Sequence, residues 1–442
     1  MFKSYNCHNV QNVVYYLQGE MYMKLKTREM PYSEVIKLKP KKHKKPLKPF
    51  FLLALVIRVL SVFALLGVKA EFKKIGMERL YKKEPCLILM NHSSFIDLKI
   101  VSTLLFPRRY NIVITSDGFV GKNLLMRLIG CIPTQKFISD SLLVKDILHC
   151  VKKNKTSILM YPEASYSFDG TATPLPQSLG KLVKKLGIPV VMIRTYGAFA
   201  YDPLYNNLQT RKVKISAEME YLLSPEEIKE KSFEQINSIL KEQFSFDNFR
   251  WQQENGIKIT EKFRADCLNR VLYKCPHCNC EGETEGKGTT LTCKNCGKVY
   301  ELTEDGFMKA KNGVTEFSHI PDWYAWQREC ARQEILSGEY KIEREVDIYM
   351  MIDTKCVYKV GDGVLTHTKD GFSLVGCDGQ LNYTQPAELS YSLYSDFYWY
   401  EIGDVISIGT PKVLYYCIPK SKKDIVAKAR IATEEIYKFI VK

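Results

Sequence analysis

Histidine is scarce in this chain: there are seven among 442 residues, against 27 tyrosines. Cysteine numbers fourteen, too few over this length for a disulfide scaffold. Four of those cysteines fall in two CxxC pairs, and the rest are scattered among apolar residues, as reduced buried thiols usually are. A cytosolic face is therefore the expected compartment. The N-terminus lacks the basic, apolar, small-residue order of a cleavable signal peptide. Internal repeats are missing too, as are low-complexity tracts beyond one lysine run. At 45% hydrophobic and 26% charged, the composition excludes disordered and collagen-like classes. A chain of this size holds about two to four domains with a large core.

Acidic charge is also short, and unevenly so. The net charge is +15, and residues 1–85 hold 18 Lys/Arg against 6 Asp/Glu, which places +12 of the excess there. A basic surface along the whole chain would suggest nucleic acid, whereas a basic block beside a hydrophobic segment suggests anionic lipid. Residues 1–36 read as an amphipathic helical lead, with Val13, Val14, Leu17 and Met21 roughly on one face. Residues 37–48, KLKPKKHKKPLK, form a proline-punctuated basic run, either a solvated linker or a headgroup contact. Phe50–Val68 comes next, 19 residues interrupted only by Arg58 and Ser61. That length just spans a bilayer. Yet Arg58, Ser61 and Lys69 share one stripe beside Ala54, and a mid-span arginine is costly in hydrocarbon. A helix lying in or dipping into one leaflet fits better, with a buried core helix as the competing reading. The basic run keeps the N-terminus cytoplasmic.

Residues 86–200 alternate strand-like and helix-like pieces. CLILM, YNIVITS, TSILMYP and PVVMIRTYG are short apolar runs, separated by amphipathic stretches such as Ile96–Leu105 and Gly180–Leu186. Such alternation predicts an α/β layer with a largely parallel sheet. Residues 212–222 add one strand pattern and Pro225–Gln243 a charged helix. From about Lys341 the pattern is β-rich, with seven or eight short strands closed by an amphipathic helix, Lys420–Val441. Within it, YSLYSDFYWYEI is an aromatic cluster that reads as core packing or as an interfacial contact.

In CLILMNHSSFID, His92 stands at the exit of a buried strand and Asp97 five residues later. The edge where strands hand over to helices is where α/β proteins place their chemistry. Alone, an HxxxxD spacing carries little, because Ser93 or Ser94 capping a helix with Asp97 in its first turn explains it equally well. The two readings are compatible: from that first turn Asp97 reaches back to one ring nitrogen of His92, leaving the other for a hydroxyl. Three later blocks raise the signal. YPEASYS (161–167) ends a buried strand with a carboxylate and hydroxyls, GCIPTQK places Lys136 beyond an apolar turn, and GIPVVMI enters a further strand through Pro189.

With His92 and Asp97 ahead of them, these blocks over residues 85–220 resemble the glycerolipid acyltransferase family that acylates lysophosphatidate and related lysophospholipids. The family's NHxxxxD block is complete in Asn91, His92 and Asp97. Its second block ends in an arginine on the acceptor phosphate, where this chain has Lys136. Its third is commonly FPEGTRS; here Pro162, Glu163 and Ser167 match, Ala164 replaces the glycine, Ser165 the threonine, and Tyr166 the phosphate-binding arginine. The resemblance implies a thioester donor, acyl-CoA or acyl-ACP. His92 is the implied general base, oriented by Asp97, while Asn91, Lys136, Glu163 and Ser165 bind the substrate.

Separately, CPHC-x14-CKNCG supplies four thiolates, Cys275, Cys278, Cys293 and Cys296, at zinc-ribbon spacing. A structural Zn2+ is expected, with His277 a bystander. The expected architecture is thus a basic, membrane-associated helical region over 1–70 and an α/β acyltransferase domain, its mostly parallel sheet flanked by helices, over 71–250. A zinc ribbon over 270–305 and a β-rich domain with a C-terminal helix over 340–442 complete it, the latter resembling a pleckstrin-homology-like barrel in strand order. The expected function is O-acyl transfer to a lysophospholipid-like acceptor at the cytoplasmic face of the cell membrane. Membrane lipid and the thioester donor are the partners, and no nucleic acid is expected. The alternative is a non-catalytic lipid-binding or scaffold protein that keeps the fold.

Overall fold

The structure, a computed structural model, describes residues 25–137, 140–421 and 423–440. The helical lead expected around Val13–Met21 lies outside them. Residues 25–36, the described end of that lead, are not helical throughout: Thr27–Glu29 forms strand β1, and only Tyr32–Val35 makes a single helical turn. The basic run lies extended along the domain. Pro46 and Pro49 are buried while its lysines face solvent. His43 Nε2 pairs with Asp146 at 2.9 Å, and Asn111 donates to the Leu47 carbonyl at 2.8 Å.

The apolar segment forms a 17-residue helix, Phe51–Gly67. No helix among the described residues is long and apolar enough to cross a membrane. Its polar stripe faces the protein: the Ser102 hydroxyl donates to Ser61 at 2.7 Å, and the Arg58 guanidinium lies 4.4 Å from the Phe106 ring centre. The side left outward is apolar, with Leu52 59%, Phe63 69% and Leu66 67% exposed.

Fully apolar runs build the centre of the first sheet. Its strands are β2 (Glu71–Ile75), β3 (Leu87–Met90), β4 (Tyr110–Thr115), β5 (Cys131–Thr134), β6 (Ser157–Met160), β7 (Val190–Tyr196) and β8 (Ser216–Leu223). Their order is β2-β8-β7-β3-β6-β4-β5, parallel at every pairing except β7 with β8. Alternation along β3 sends Ile88 and Met90 into one core and Leu87 and Leu89 into the other. Both faces are therefore covered, as parallel sheets require. Two details depart from the sequence reading. The apolar turn before Lys136 is strand β5, and the charged helix after Ser224 is two helices, Pro225–Glu230 and Phe233–Phe244. Ser232 breaks it by capping the second in a reciprocal box with Gln235.

A four-stranded antiparallel sheet carries the cysteines: β9 (Thr284–Lys287), β10 (Thr290–Cys293), β11 (Val299–Leu302) and β12 (Met308–Ala310). An unforeseen helix, Ile320–Ser337, comes after it. Its Trp323 is fully buried and donates to the Lys274 carbonyl at 2.9 Å.

The C-terminal unit is a meander of seven strands: β13 (Ile342–Met351), β14 (Val357–Thr368), β15 (Gly371–Gly376), β16 (Leu381–Pro386), β17 (Tyr394–Trp399), β18 (Gly403–Thr410) and β19 (Val413–Pro419). One of them, β14, runs for twelve residues, longer than the short strands expected. The first strand pairs with the last, giving β16-β15-β14-β13-β19-β18-β17, and β1 adds to β14 in parallel. The final helix, Val426–Ile440, is buried on nearly all sides. One continuous core runs from Phe168 and Tyr205 through Tyr300 and Trp323 to Ile348 and Ile431.

Candidate active site

The end of β3 delivers His92 to the mouth of a large cleft. Just before it, Asn91 is pinned across the sheet edge, its Oδ1 accepting from the Thr195 backbone N–H at 2.9 Å. Four residues of loop separate His92 from Asp97, which opens the helix Asp97–Leu105. No serine caps that helix. Instead Asp97 Oδ2 accepts from the Ser93 and Ser94 N–H groups at 3.0 and 3.2 Å and meets His92 Nδ1 at 3.1 Å. The carboxylate is 1% exposed and fixes loop and imidazole together. With Nδ1 held by an acid, His92 turns the rest of its ring to the cleft, whose lining it shares.

Two aromatic rings enclose that imidazole. Tyr161 stacks at 4.1 Å between ring centres and Tyr166 at 4.0 Å from it. Such a clamp restrains the ring. Tyr166 thus occupies the motif's arginine position with a stacking group and no charge.

Glu163 and Ser165 face away from the cleft. Glu163 Oε2 accepts from the His92 backbone N–H at 2.9 Å, and Oε1 from the Thr173 N–H at 2.8 Å. Burial pushes its carboxyl up to about 7, against the pull of those two donors. Ser165 is fully buried and accepts from Arg430 at 2.7 Å. All three side chains expected as substrate ligands, Glu163, Ser165 and Asn91, are taken up by partners inside the protein. They position the His92 loop and the 161–167 loop. The latter is tight, with Ala164 at φ 56°, a left-handed value that suits the glycine it replaces.

Lys136 does line the cleft, but not alone. Its ammonium lies 3.4 Å from Asp396 and 4.2 Å from the Tyr394 ring centre, both on β17. This is the aromatic cluster of the sequence reading, and it forms a wall of the cleft. Tyr394 and Trp399 donate to Asp117, the indole at 3.3 Å. Arg430 arrives from the C-terminal helix, donating to Ser165 and to the Tyr166 carbonyl at 3.2 Å, over the Phe168 ring. The cleft has a volume of about 1270 Å³ and is shared between the α/β layer and this roof. Sequence reasoning missed Asp117, Asp202, Asp396, Arg430 and the role of Tyr161. No local spacing links them to His92, because their partners lie far along the chain.

Far from the cleft, Cys275, Cys278, Cys293 and Cys296 bring their sulfurs within 4.8 Å of one another. Cys275 and Cys296 are 3.9 Å apart and Cys278 and Cys293 3.7 Å, edges suited to a tetrahedral four-thiolate site. His277 turns instead to Glu316 at 3.1 Å. The donor set can hold a metal ion. Next to it, Lys274 and Lys428 share Glu281 and Glu334, tying the ribbon to the C-terminal helix.

Compared with known proteins, residues 71–195 match the Acyltransferase family model. Among solved structures, the chain is similar to the 1-acyl-sn-glycerophosphate (LPA) acyltransferase of Thermotoga maritima, at 15% identity and a TM-score of 0.35, over 43% of this chain and 78% of that one. No curated protein matches the chain.

Proposed function

We propose that the protein is a membrane-associated O-acyltransferase moving a fatty acyl group from a CoA or carrier-protein thioester to the hydroxyl of a lysolipid. The resemblance makes a lysophospholipid such as 1-acylglycerol 3-phosphate the expected acceptor. The observation that carries the reading is the His92 Nδ1–Asp97 Oδ2 contact of 3.1 Å on a ring opening into the cleft. His92 takes the acceptor's hydroxyl proton as that oxygen bonds to the thioester carbonyl carbon. Asp97 holds the ring's tautomer and stabilises the imidazolium. When the C–S bond breaks, the proton passes to the departing thiolate.

The apolar helix supports a membrane-surface location on the cytoplasmic side. Its outward face is a contiguous apolar patch of the kind that enters one leaflet, with the basic run beside it for anionic headgroups. Ala64 of that helix and the 55% exposed Phe95 both line the cleft, so an acyl chain passes from lipid to site without crossing water. The four thiolates hold a structural Zn2+.

The test is thioester consumption and acyl-lipid formation by the purified full chain. His92→Ala is expected to lower turnover about a thousandfold with unchanged thermal unfolding. A competing reading, a lipid-binding scaffold without catalysis, draws on the tight aromatic clamp around His92. Wild-type turnover in His92→Ala would deny His92 its role as base, and no turnover in the wild-type chain would favour the scaffold.

A further inference from the structure

The cleft around His92 is charge-balanced, not cationic. A phosphomonoester is a dianion, and binding it needs cationic donors not already engaged by protein anions. The motif position that supplies such an arginine holds Tyr166, whose ring lies on the imidazole. Lys136 is engaged by Asp396, which is 9% exposed and whose Oδ1 has no other partner among the described residues. Arg430, beside the 161–167 loop, gives its N–H groups to Ser165 and the Tyr166 carbonyl and faces Glu434 at 3.4 Å. Deeper in, Lys99 stands in the field of buried Asp202 and Lys122 in that of buried Asp117. Each inner cation thus faces a carboxylate, and Lys181 and Lys185, further lysines of the lining, are exposed at its edge. The lining between the inner cations mixes aliphatic side chains such as Ile96, Ile114 and Met160 with the phenols of Tyr161 and Tyr394 and the indole of Trp399.

From this we infer that the acceptor's head group is uncharged and hydroxyl-bearing, as in a monoacylglycerol, and that Asp396 sets this preference by holding Lys136. The inference rests on the acyl-transfer reading and respecifies only its acceptor. The chemistry is unchanged: an ester C–O bond forms, the thioester C–S bond breaks, and the hydroxyl proton leaves through His92. The roof determines which hydroxyl is admitted, since both Asp396 and Arg430 come from the C-terminal unit. An incoming phosphate would have to displace Asp396 from Lys136 and lie against that carboxylate unscreened.

The experiment gives the purified full chain one acyl-CoA and two acceptors of the same chain length, 1-monoacylglycerol and 1-acylglycerol 3-phosphate, in detergent micelles. A kcat/KM at least tenfold higher for monoacylglycerol is expected, with no inhibition by millimolar glycerol 3-phosphate. In Asp396→Asn the ratio should move about tenfold toward the phosphomonoester, as Lys136 is released. A wild-type preference for the phosphomonoester would overturn this inference alone. Absence of His92-dependent transfer to either acceptor would overturn the acyl-transfer reading beneath it. The wild-type ratio decides the matter even if Asp396→Asn does not fold.

Discussion

The two walls of the cleft hold their charged groups by opposite means. On the α/β side, His92, Ser93, Ser94 and Asp97 lie within six residues of one another, and Asp97 Oδ2 accepts from that segment's own N–H groups. On the roof, Asp396, Tyr394 and Trp399 meet Lys136 and Asp117 from positions more than 250 residues along the chain. The first arrangement lies within the α/β layer, braced there by Glu163 and Thr195. The second exists only when the C-terminal unit docks. On the proposed function, chemistry is built within the α/β layer, and selectivity at long range. A variant that loosens docking should alter what is acylated before it alters whether acylation occurs.

Removing the metal is expected to break the comparison most completely. One zinc per chain should be found by elemental analysis. Stripping it should release hydrogen-exchange protection in the ribbon and, through the Lys428–Glu281 tie, in the C-terminal helix, while β3 stays protected. Equal loss at β3 would mean the two walls are not separable. A narrower break is Arg430→Met, which leaves the Ser165 hydroxyl and the Tyr166 carbonyl without their donor. Losing one side of a buried ion pair costs about 3 kcal/mol or more. Arg328 still faces Glu434 at 2.8 Å, which holds the loss to that lower figure in urea unfolding. An unchanged midpoint would deny Arg430 its place.

The smallest effect sharpens the local side. Glu163 has its carboxyl raised by burial to about 7 from an ordinary 4.5. The folded state therefore binds a proton that the unfolded state has lost between those values, so this group's stability contribution declines as pH rises from about 4.5 through 7 and is level above. The decline is on the order of 3 kcal/mol at most. Glu163→Gln should flatten that part of the stability-against-pH curve; an identical slope in both proteins would show that Glu163 does not titrate there.

Much of this layout was legible before the fold. His92 and Asp97, the parallel strands and the four cysteines all announce themselves through short spacings, where local geometry and periodicity decide the outcome. Lys136 was legible as a residue at the cleft but not in its engagement with Asp396. The internal partners of Glu163 and Asn91 were not legible, because a motif shows which residues recur, not which way they face. In the fold, backbone N–H groups of Thr173, His92 and Thr195 claim their side chains. The aromatic stretch of β17 could not be placed at all, since its partners are set by docking and not by any period.

The most direct test of the account is the ratio of kcat/KM for monoacylglycerol to that for 1-acylglycerol 3-phosphate, compared between Asp97→Asn and Asp396→Asn. Asp97→Asn should depress both acceptors by the same large factor and leave the ratio as in wild type. Asp396→Asn should shift the ratio about tenfold with a smaller change in the overall rate. A shifted ratio in Asp97→Asn, or an unshifted one in folded Asp396→Asn, would contradict the division between a catalytic floor and a selective roof.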